Sequence, residues 1–326
     1  MGMHRRFVSS ALFFSFFLAS IFAPLYAAEI NASPEVTLLR EEAVGKLYQV
    51  ANQKMLVMEG TPEEMGFQHG LLLAKEIRHI MKEGYTNKAL WDRGYSKEYV
   101  AAQSERMEKF FPESVREELR GMVKGLQAAG DDGISYEDLR LGITQAEILH
   151  FPPDGGPACS NFACWGKWTT DGRLLHGRNL DWNIKGDAQD DHTILVWRPK
   201  GGIPFMMVGW AGGVGSVTGM NSRGITLGEM TLPSSDVTFD GLPLFLQMRL
   251  CLEQCATLEE AVQFFQKCHR TTGWNFIIGD SKIPDARALE TELARAQVVG
   301  HDEVPAGVVT MNSRVHCREE SSGKDY

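Results

Sequence analysis

Cys159 follows a run of breakers, Pro152-Pro153-Asp154-Gly155-Gly156-Pro157, and opens a strand-like stretch, CSNFACWG. A cysteine in that setting has three readings. It is a small buried hydrophobe or half of a disulfide. It is a thiol nucleophile with a histidine base, for which His150 and His176 stand nearby in sequence. Or it becomes a chain terminus. Scission of the Ala158–Cys159 bond would free an α-amine with a reference pKa of about 8. That amine would take the proton of its own thiol, as in N-terminal threonine nucleophiles. There is no C-G-S-C-W signature of a papain-like protease.

Around Cys159 the chain must supply a charged pair and hydrogen-bond donors. Arg178 and Asp181 stand three apart in the GRNLDW run. They read either as a surface ion pair or as groups that hold a thiolate and an ammonium. Asn221 sits in an N-S-R-G setting that favours a turn over a substrate contact. His69 lies between apolar helix neighbours, which predicts a satisfied core histidine. His176 reads as a packed or edge residue and Cys164 as an interior one. The histidines show no H-E-x-x-H spacing and the cysteines no C-x-x-C pair, so no metal site is expected.

The elements that position these residues follow from pattern. Residues 29 to about 45 read as an exposed lead-in. Lys46 to Gly60 reads as two short strands around a polar turn. Thr61-Pro62-Glu63-Glu64 predicts a helix start with a capping box. Helical periodicity recurs in KEYVAAQSERMEKFF, ESVREELRGMVKGLQAAG and SYEDLRLGITQAEILHF. Beyond the Gly/Pro loop strands dominate. They are interrupted by one helical pair, PLFLQMRLCLEQC and TLEEAVQFFQKC, whose Cys251, Cys255 and Cys268 would allow one bridge. The layout predicts an α+β fold with helices on antiparallel sheets.

Net charge is −9 over 326 residues, which excludes nonspecific nucleic-acid binding. The N-terminus carries Arg5 and Arg6, the apolar run ALFFSFFLASIF and small residues at Ala27 and Ala28. That pattern predicts a secretory signal over residues 1–28 and a periplasmic or secreted protein without stable membrane insertion.

Several separated motifs, in order, resemble one family. C-S-N-F followed by W-G-x-x-T-x-D-G-x-L-L-H-G-R-N-L-D-W is similar to the acyl-coenzyme A:6-aminopenicillanic acid acyltransferase family of N-terminal-nucleophile (Ntn) hydrolases. Choloylglycine hydrolases and acid ceramidases share parts of it more distantly. Gly60 to Gly70 resembles a G-x-x-x-E-x-G-x-x-H-G segment, and Gly219 to Ile225 a G-x-N-x-x-G-L turn. Trp274-Asn275-Phe276, Glu290-Thr291 and Thr310-Met311-Asn312 fit as well, so the resemblance runs from about Lys46 to Asn312.

The resemblance implies a four-layer αββα sandwich and a precursor that cuts itself between Ala158 and Cys159. Residues 29–158 would become a helical α chain and residues 159–326 a strand-rich β chain of one domain. Cys159 would be the nucleophile, and Arg178 and Asp181 would orient thiol and amine. Asn312 would donate to the oxyanion, a contact whose loss typically costs about 3–4 kcal/mol. Asn221 and Thr231 are the implied substrate-side positions; Thr231 stands near where distant relatives carry asparagine. The implied substrate is an N-acyl small-molecule amide, with no metal or cofactor. Two departures stand out. Alanine precedes the nucleophile where the family often has glycine. Relatives also continue past the asparagine to a late active-site arginine that Arg314 and Arg318 are too close to supply. The expectation is a short form or a fragment with an exposed sheet edge. A catalytically inactive binding protein on this scaffold and a histidine-dependent cysteine protease remain as alternatives.

Overall fold

The computed structural model describes residues 35–83, 86, 90–149, 159–181, 189–231, 236–299 and 308–311. Residues 1–34, which include the expected signal segment, lie outside them, as do Ala158 and Asn312.

Three strands come first: β1 (Val36–Glu42), β2 (Gly45–Val50) and β3 (Gln53–Gly60). The expected lead-in is therefore partly a strand. β1 pairs antiparallel with β2 at the sheet edge, and nearly all of it is exposed, so its sequence carries no burial pattern to announce it.

Helix α1 (Pro62–Leu72) starts on the expected capping box, with Thr61 and Glu64 bonding reciprocally. It stops at Leu73, and α2 (Ala74–Arg78) and a π-helical turn (His79–Glu83) follow where the sequence suggests one helix. Helices α3 (Lys97–Glu108), α4 (Glu113–Ala128) and α5 (Tyr136–Ile148) complete this layer.

A hairpin of β4 (Cys159–Gly166) and β5 (Gly172–Leu180) turns at the expected Thr170-Asp171-Gly172. Strands β6 (His192–Pro199), β7 (Phe205–Trp210), β8 (Thr218–Asn221) and β9 (Ile225–Met230) lead to α6 (Leu244–Gln254) and α7 (Leu258–Lys267). Then come β10 (Asn275–Asp280), β11 (Asp285–Thr291), β12 (Ala296–Val299) and β13 (Val308–Met311).

The strands make two sheets. Ten strands run in the order β1-β2-β3-β6-β7-β8-β9-β10-β11-β12, antiparallel except for the parallel pair β3–β6. Chain from both sides of Cys159 thus builds one sheet. The other sheet is β13-β4-β5. Helices cover one face of the large sheet: α1 packs on β2 and β3, α6 on β8 and β9, and α7 on β10, β11 and β12. The small sheet packs on the other face, against β9, β10 and β11. This is an α+β architecture, and three of the four expected layers stand among the described residues.

Strand alternation divides the interior in two. In β10, Phe276 and Ile278 join the core under the helices, while Ile277 joins Cys159, Ala163, Met230, Ala286 and Ala288 between the sheets. That second core is lined by small residues, so the sheets approach closely. At Gly228 a Cβ would strike the Asn161 amide nitrogen and lie 3.1 Å from Arg178 Cγ.

The helical layer is fixed by two devices. Helices α1 and α4 cross in contact: a Cβ on Gly66 would fall on the Glu118 carbonyl, and one on Gly121 on that of Glu63. Beside that crossing Glu118 is fully buried. It accepts from Trp197 Nε1 at 2.8 Å and from Arg249 Nη2 at 2.5 Å. Arg249 also stacks over the Trp197 and Phe205 rings and donates to the Val214 carbonyl. The network ties α4, α6, β6 and the turn before β8 together.

Because backbone atoms, not flexible side chains, meet at Gly121, Gly121→Ala is expected to cost about 2 kcal/mol or more. Urea unfolding checks this; an unchanged midpoint would show that the crossing can open freely.

Candidate active site

Cys159 is the first residue of β4. Antiparallel pairing sets Asn161 opposite Arg178 and Cys159 opposite Leu180. The two-residue period of a strand therefore puts Cys159, Asn161 and Arg178 on one face, turned toward β9. Cys159 is 8% exposed. Arg178 Nη2 donates to its Sγ at 3.2 Å. The same nitrogen lies 3.3 Å from Glu229 Oε2, and Arg178 Nε donates to the Glu229 carbonyl at 3.0 Å. Both side chains of this ion pair are buried. The backbone N–H groups of Thr231, just past β9, and of Asp181, just past β5, also bond the sulfur.

These neighbours oppose one another. Burial pushes the Cys159 thiol up; the Arg178 guanidinium and the two N–H donors pull it down, while Glu229 pushes it up when ionised. Glu229 is itself raised to about 8, chiefly by burial, against the pull of Arg178. At neutral pH it is mostly protonated, which leaves the Arg178 charge to the thiol.

Glu229 was not among the residues singled out in the sequence. The signal was there: an acid at the same parity as Ile225 and Leu227 occupies the buried side of its strand, and an acid is rarely fully buried without a partner.

Next to this triad lies a neutral network. His176 Nε2 bonds Asn161 Oδ1 at 2.8 Å and its Nδ1 bonds Thr226 Oγ1 at 2.7 Å. The amide oxygen can only accept, so Nε2 carries the proton and the threonine hydroxyl donates to Nδ1. Burial lowers His176 to about 4. It is thus a packed residue, with both ring nitrogens engaged away from the thiol. Among the described residues no histidine is hydrogen-bonded to Cys159, and His150 lies outside them.

The other expected site residues separate. Asp181 adjoins the site through its backbone, and its exposed side chain accepts from Asn179 Nδ2 at 3.2 Å. Thr231 likewise contributes its N–H. Asn221 is a structural pin at its turn, the role its N-S-R-G setting favours, and not at the substrate-side position the resemblance implies. Its Nδ2 donates to the Leu252 and Cys255 carbonyls, both at 2.8 Å, and its Oδ1 accepts from the Arg223 and Ile225 N–H groups. All its valences are spent on backbone, so it has none for a ligand. Asn312 lies outside the described residues; β13 ends just before it, with Met311 opposite Asn161. His69 is buried, accepts from the Gly212 N–H at 3.0 Å and is lowered to about 3 by burial. The five described cysteines are free thiols, and no group of three or more potential metal ligands occurs among the described residues. No helix among them is long and apolar enough to cross a membrane.

Residues 168–316 match the family model described as acyl-coenzyme A:6-aminopenicillanic acid acyl-transferase. The span takes in Arg178, Glu229 and the Asn312 position, and Cys159 stands just before it. Over that span the chain is similar to the family so described. An uncharacterized protein of Archaeoglobus fulgidus is 28% identical over 261 residues, covering 73% of this chain and 43% of that protein. Protein dcd1B of Dictyostelium discoideum is 24% identical over 302 residues, covering 83% and 57%. The chain spans about half the length of these curated relatives. Among solved structures, the Caenorhabditis elegans ortholog of N-acylethanolamine-hydrolyzing acid amidase superposes with a TM-score of 0.40 at 19% identity, covering 48% of this chain and 71% of that one.

Two outcomes follow from the site. An opposite charge within about 4–6 Å moves a pKa by roughly 1–3 units, so Arg178→Gln should slow iodoacetamide alkylation of Cys159 at pH 7.5 by about tenfold or more. A rate equal to wild type would remove Arg178 from the site. Stability should also be bell-shaped in pH. His69 and His176 are held below their free value, so the stability they confer is lost as pH falls below about 6.5 toward about 3 and about 4 respectively. Glu147 and Glu229 are raised to about 7 and about 8, so the stability they allow is present at acid pH and lost as pH rises through those values. Thermal melts across pH check both limbs.

Proposed function

We propose that this chain is an autoproteolytic Ntn cysteine hydrolase or acyltransferase that cleaves the C–N bond of an N-acyl small molecule. The observation that carries this reading is the buried Cys159 thiol on Arg178 at 3.2 Å, with His176 of the same hairpin committed to Asn161 and Thr226. A thiol so placed has a cation to hold its thiolate but no side-chain base among the described residues, and an α-amine on Cys159 itself would fill that role.

Self-cleavage would begin with the Cys159 sulfur adding to the Ala158 carbonyl carbon. The S–C bond forms, the C–N bond breaks, and the thiol proton passes to the departing nitrogen. Water then hydrolyses the thioester, leaving an Ala158 carboxylate, a free thiol and a free α-amine. In turnover the amine takes the thiol proton, and the thiolate attacks the acyl carbonyl of the substrate. The leaving amine carries the proton away, and water or an acceptor amine takes the acyl group from sulfur.

In this mechanism Arg178 stabilises the thiolate and Asp181 holds the ammonium. The oxyanion falls to the Asn312 amide and to the Thr231 N–H at the sulfur. Protonated Glu229 keeps the Arg178 charge available. We place the reaction outside the cytoplasm, in the periplasm or the secreted fraction, on the strength of residues 1–28. Coenzyme A thioesters are scarce there, so hydrolysis is favoured over transfer from them.

Intact mass and N-terminal sequencing of the purified protein test the first half. Two chains, the second beginning CSNF, are expected, and Cys159→Ala should remain a single chain. Amine release from N-acyl amino acids, acyl-homoserine lactones, bile-salt conjugates and penicillins tests the second half. An unbroken chain that turns over substrate would refute the mechanism. An unbroken chain with oxidised Cys159 and no turnover would identify an inactive binding protein.

A further inference from the structure

The stretch Trp274-Asn275-Phe276 brings a carboxamide close to the nucleophile with nothing in the fold to hold it. Asn275 opens β10 and is 1% exposed. Neither its Oδ1 nor its Nδ2 has a hydrogen-bond partner. A strand turns every second side chain to the same face. Ile277 shares the inter-sheet core with Cys159, so Asn275, two residues earlier, faces that space. Its neighbours across the ladder agree. Met230, directly opposite on β9, belongs to the same core as Cys159. Glu290, directly opposite on β11, continues the line of Ala286 and Ala288 and is fully buried. Thr231, next after Met230, bonds the Cys159 sulfur through its N–H. Directly opposed residues carry Cβ atoms about 5 Å apart, so Asn275 stands one strand beyond the segment that touches the nucleophile.

A buried carboxamide with both atoms unpaired costs stability. Other buried amides of this chain are employed. Asn161, on the β4 face that carries Cys159, holds His176 through Oδ1, and Asn221 binds four backbone groups. Exchanging the oxygen and nitrogen of Asn275 changes nothing, since both are unpaired. We propose that Asn275 is a substrate-binding residue that grips the N–H and the adjacent carbonyl of an N-acyl amino acid derivative whose carboxyl is uncharged: an amide, ester or lactone. The inference rests on the amidohydrolase reading above and names its substrate class.

The chemistry of the two free atoms selects this class. In an extended chain the N–H and C=O of one residue lie on one side and bond a single partner, as in an antiparallel ladder. A carboxamide is the complement of that pair: Oδ1 accepts the N–H and Nδ2 donates to the carbonyl. The N–H is that of the scissile amide, one bond from the carbon that the Cys159 sulfur attacks. Asn275 therefore orients the leaving nitrogen while Cys159 meets the acyl carbon. Glu290 across the ladder selects the uncharged carboxyl, because a free carboxylate beside a buried acid is unfavourable.

The experiment compares N-octanoylglycinamide with O-octanoylglycolamide, in which an oxygen replaces the N–H. Release of glycinamide and of glycolamide is measured for wild type and for Asn275→Leu, and the amide-to-ester ratio of kcat/KM is taken within each protein. The greater intrinsic reactivity of the ester cancels between proteins. In wild type the amide gives Oδ1 a donor, whereas the ester sets an oxygen against it. The ratio should therefore fall by about tenfold or more in Asn275→Leu, the usual size of a buried polar contact made or left unmade. A residue that merely shapes the fold would slow both substrates together, so an unchanged ratio overturns the proposal. Urea unfolding gives a readout without substrate. Loss of an unpaired buried amide should leave the midpoint equal or higher in Asn275→Leu or, where leucine overpacks the site, in Asn275→Val. A clear fall in both shows that the amide serves the fold and overturns the proposal. If Asn275→Leu does not fold, Asn275→Val decides both measurements. Wild type that releases amine from other acyl compounds but not from N-octanoylglycinamide overturns the substrate class alone. Wild type that releases amine from none refutes the amidohydrolase reading, and the proposal falls with it.

Discussion

The site rests on one buried guanidinium. Arg178 lies between a thiol and a carboxylic acid in the narrow space between two sheets, and its charge must be answered there. Removing a charge from water costs several kcal/mol even after the protein relaxes. The chain answers Arg178 with the Glu229 carbonyl, the Glu229 carboxyl and the Cys159 sulfur together. Neither acid is ordinary in that place: both thiol and carboxyl are raised by burial, and only the cation between them makes an anion tolerable at either. Whichever of the two loses its proton first takes the larger share of Arg178. The reactivity of Cys159 is therefore a property of the group and not of the cysteine.

That arrangement demands closely spaced sheets and a rigid backing. The inter-sheet core combines Cys159, three alanines and the close approach at Gly228 with Met230 and Ile277, edged by Trp165, Leu174 and Leu180, and there Arg178 reaches β9. On the far side of the large sheet, Glu118, Arg249 and Trp197 form a separate buried charged network that fixes α4 and α6 against β6. Such networks contribute less to net stability than to holding one arrangement. Here the arrangement held is the turn from Ala211 to Val217, whose last carbonyl receives the Glu229 N–H. The neutral histidines serve the same end. His69 and His176 are kept uncharged by burial, so each works as a fixed polar spacer.

Much of the architecture is legible in the sequence because local signals and tertiary packing agree. The capping box at Thr61 and Glu64, the Thr170-Asp171-Gly172 turn and the helical pair after β9 are written in residues that act on their own neighbours. The pairing of Arg178 with Cys159 also follows from a period of two once the hairpin is recognised. Where the local signal is weak, the reading falls short. β1 is exposed nearly throughout and forms a strand only because β2 offers an edge. Leu73 breaks a helix that periodicity alone would continue.

The sequence by itself determined the elements, the hairpin register that turns Cys159 and Arg178 to one face, and the motifs shared with the acyltransferase family. Each depends on chain neighbours or on turn chemistry. Only the tertiary structure decided which polar residues meet. Asn221 has the same motif status as Arg178, yet it is consumed by the Leu252 and Cys255 carbonyls of a distant helix end. Glu229 and Cys159 lie far apart in sequence, and nothing local marks them as the two partners of Arg178. Burial and long-range juxtaposition set the energies of their protons, and those are properties of the packed chain.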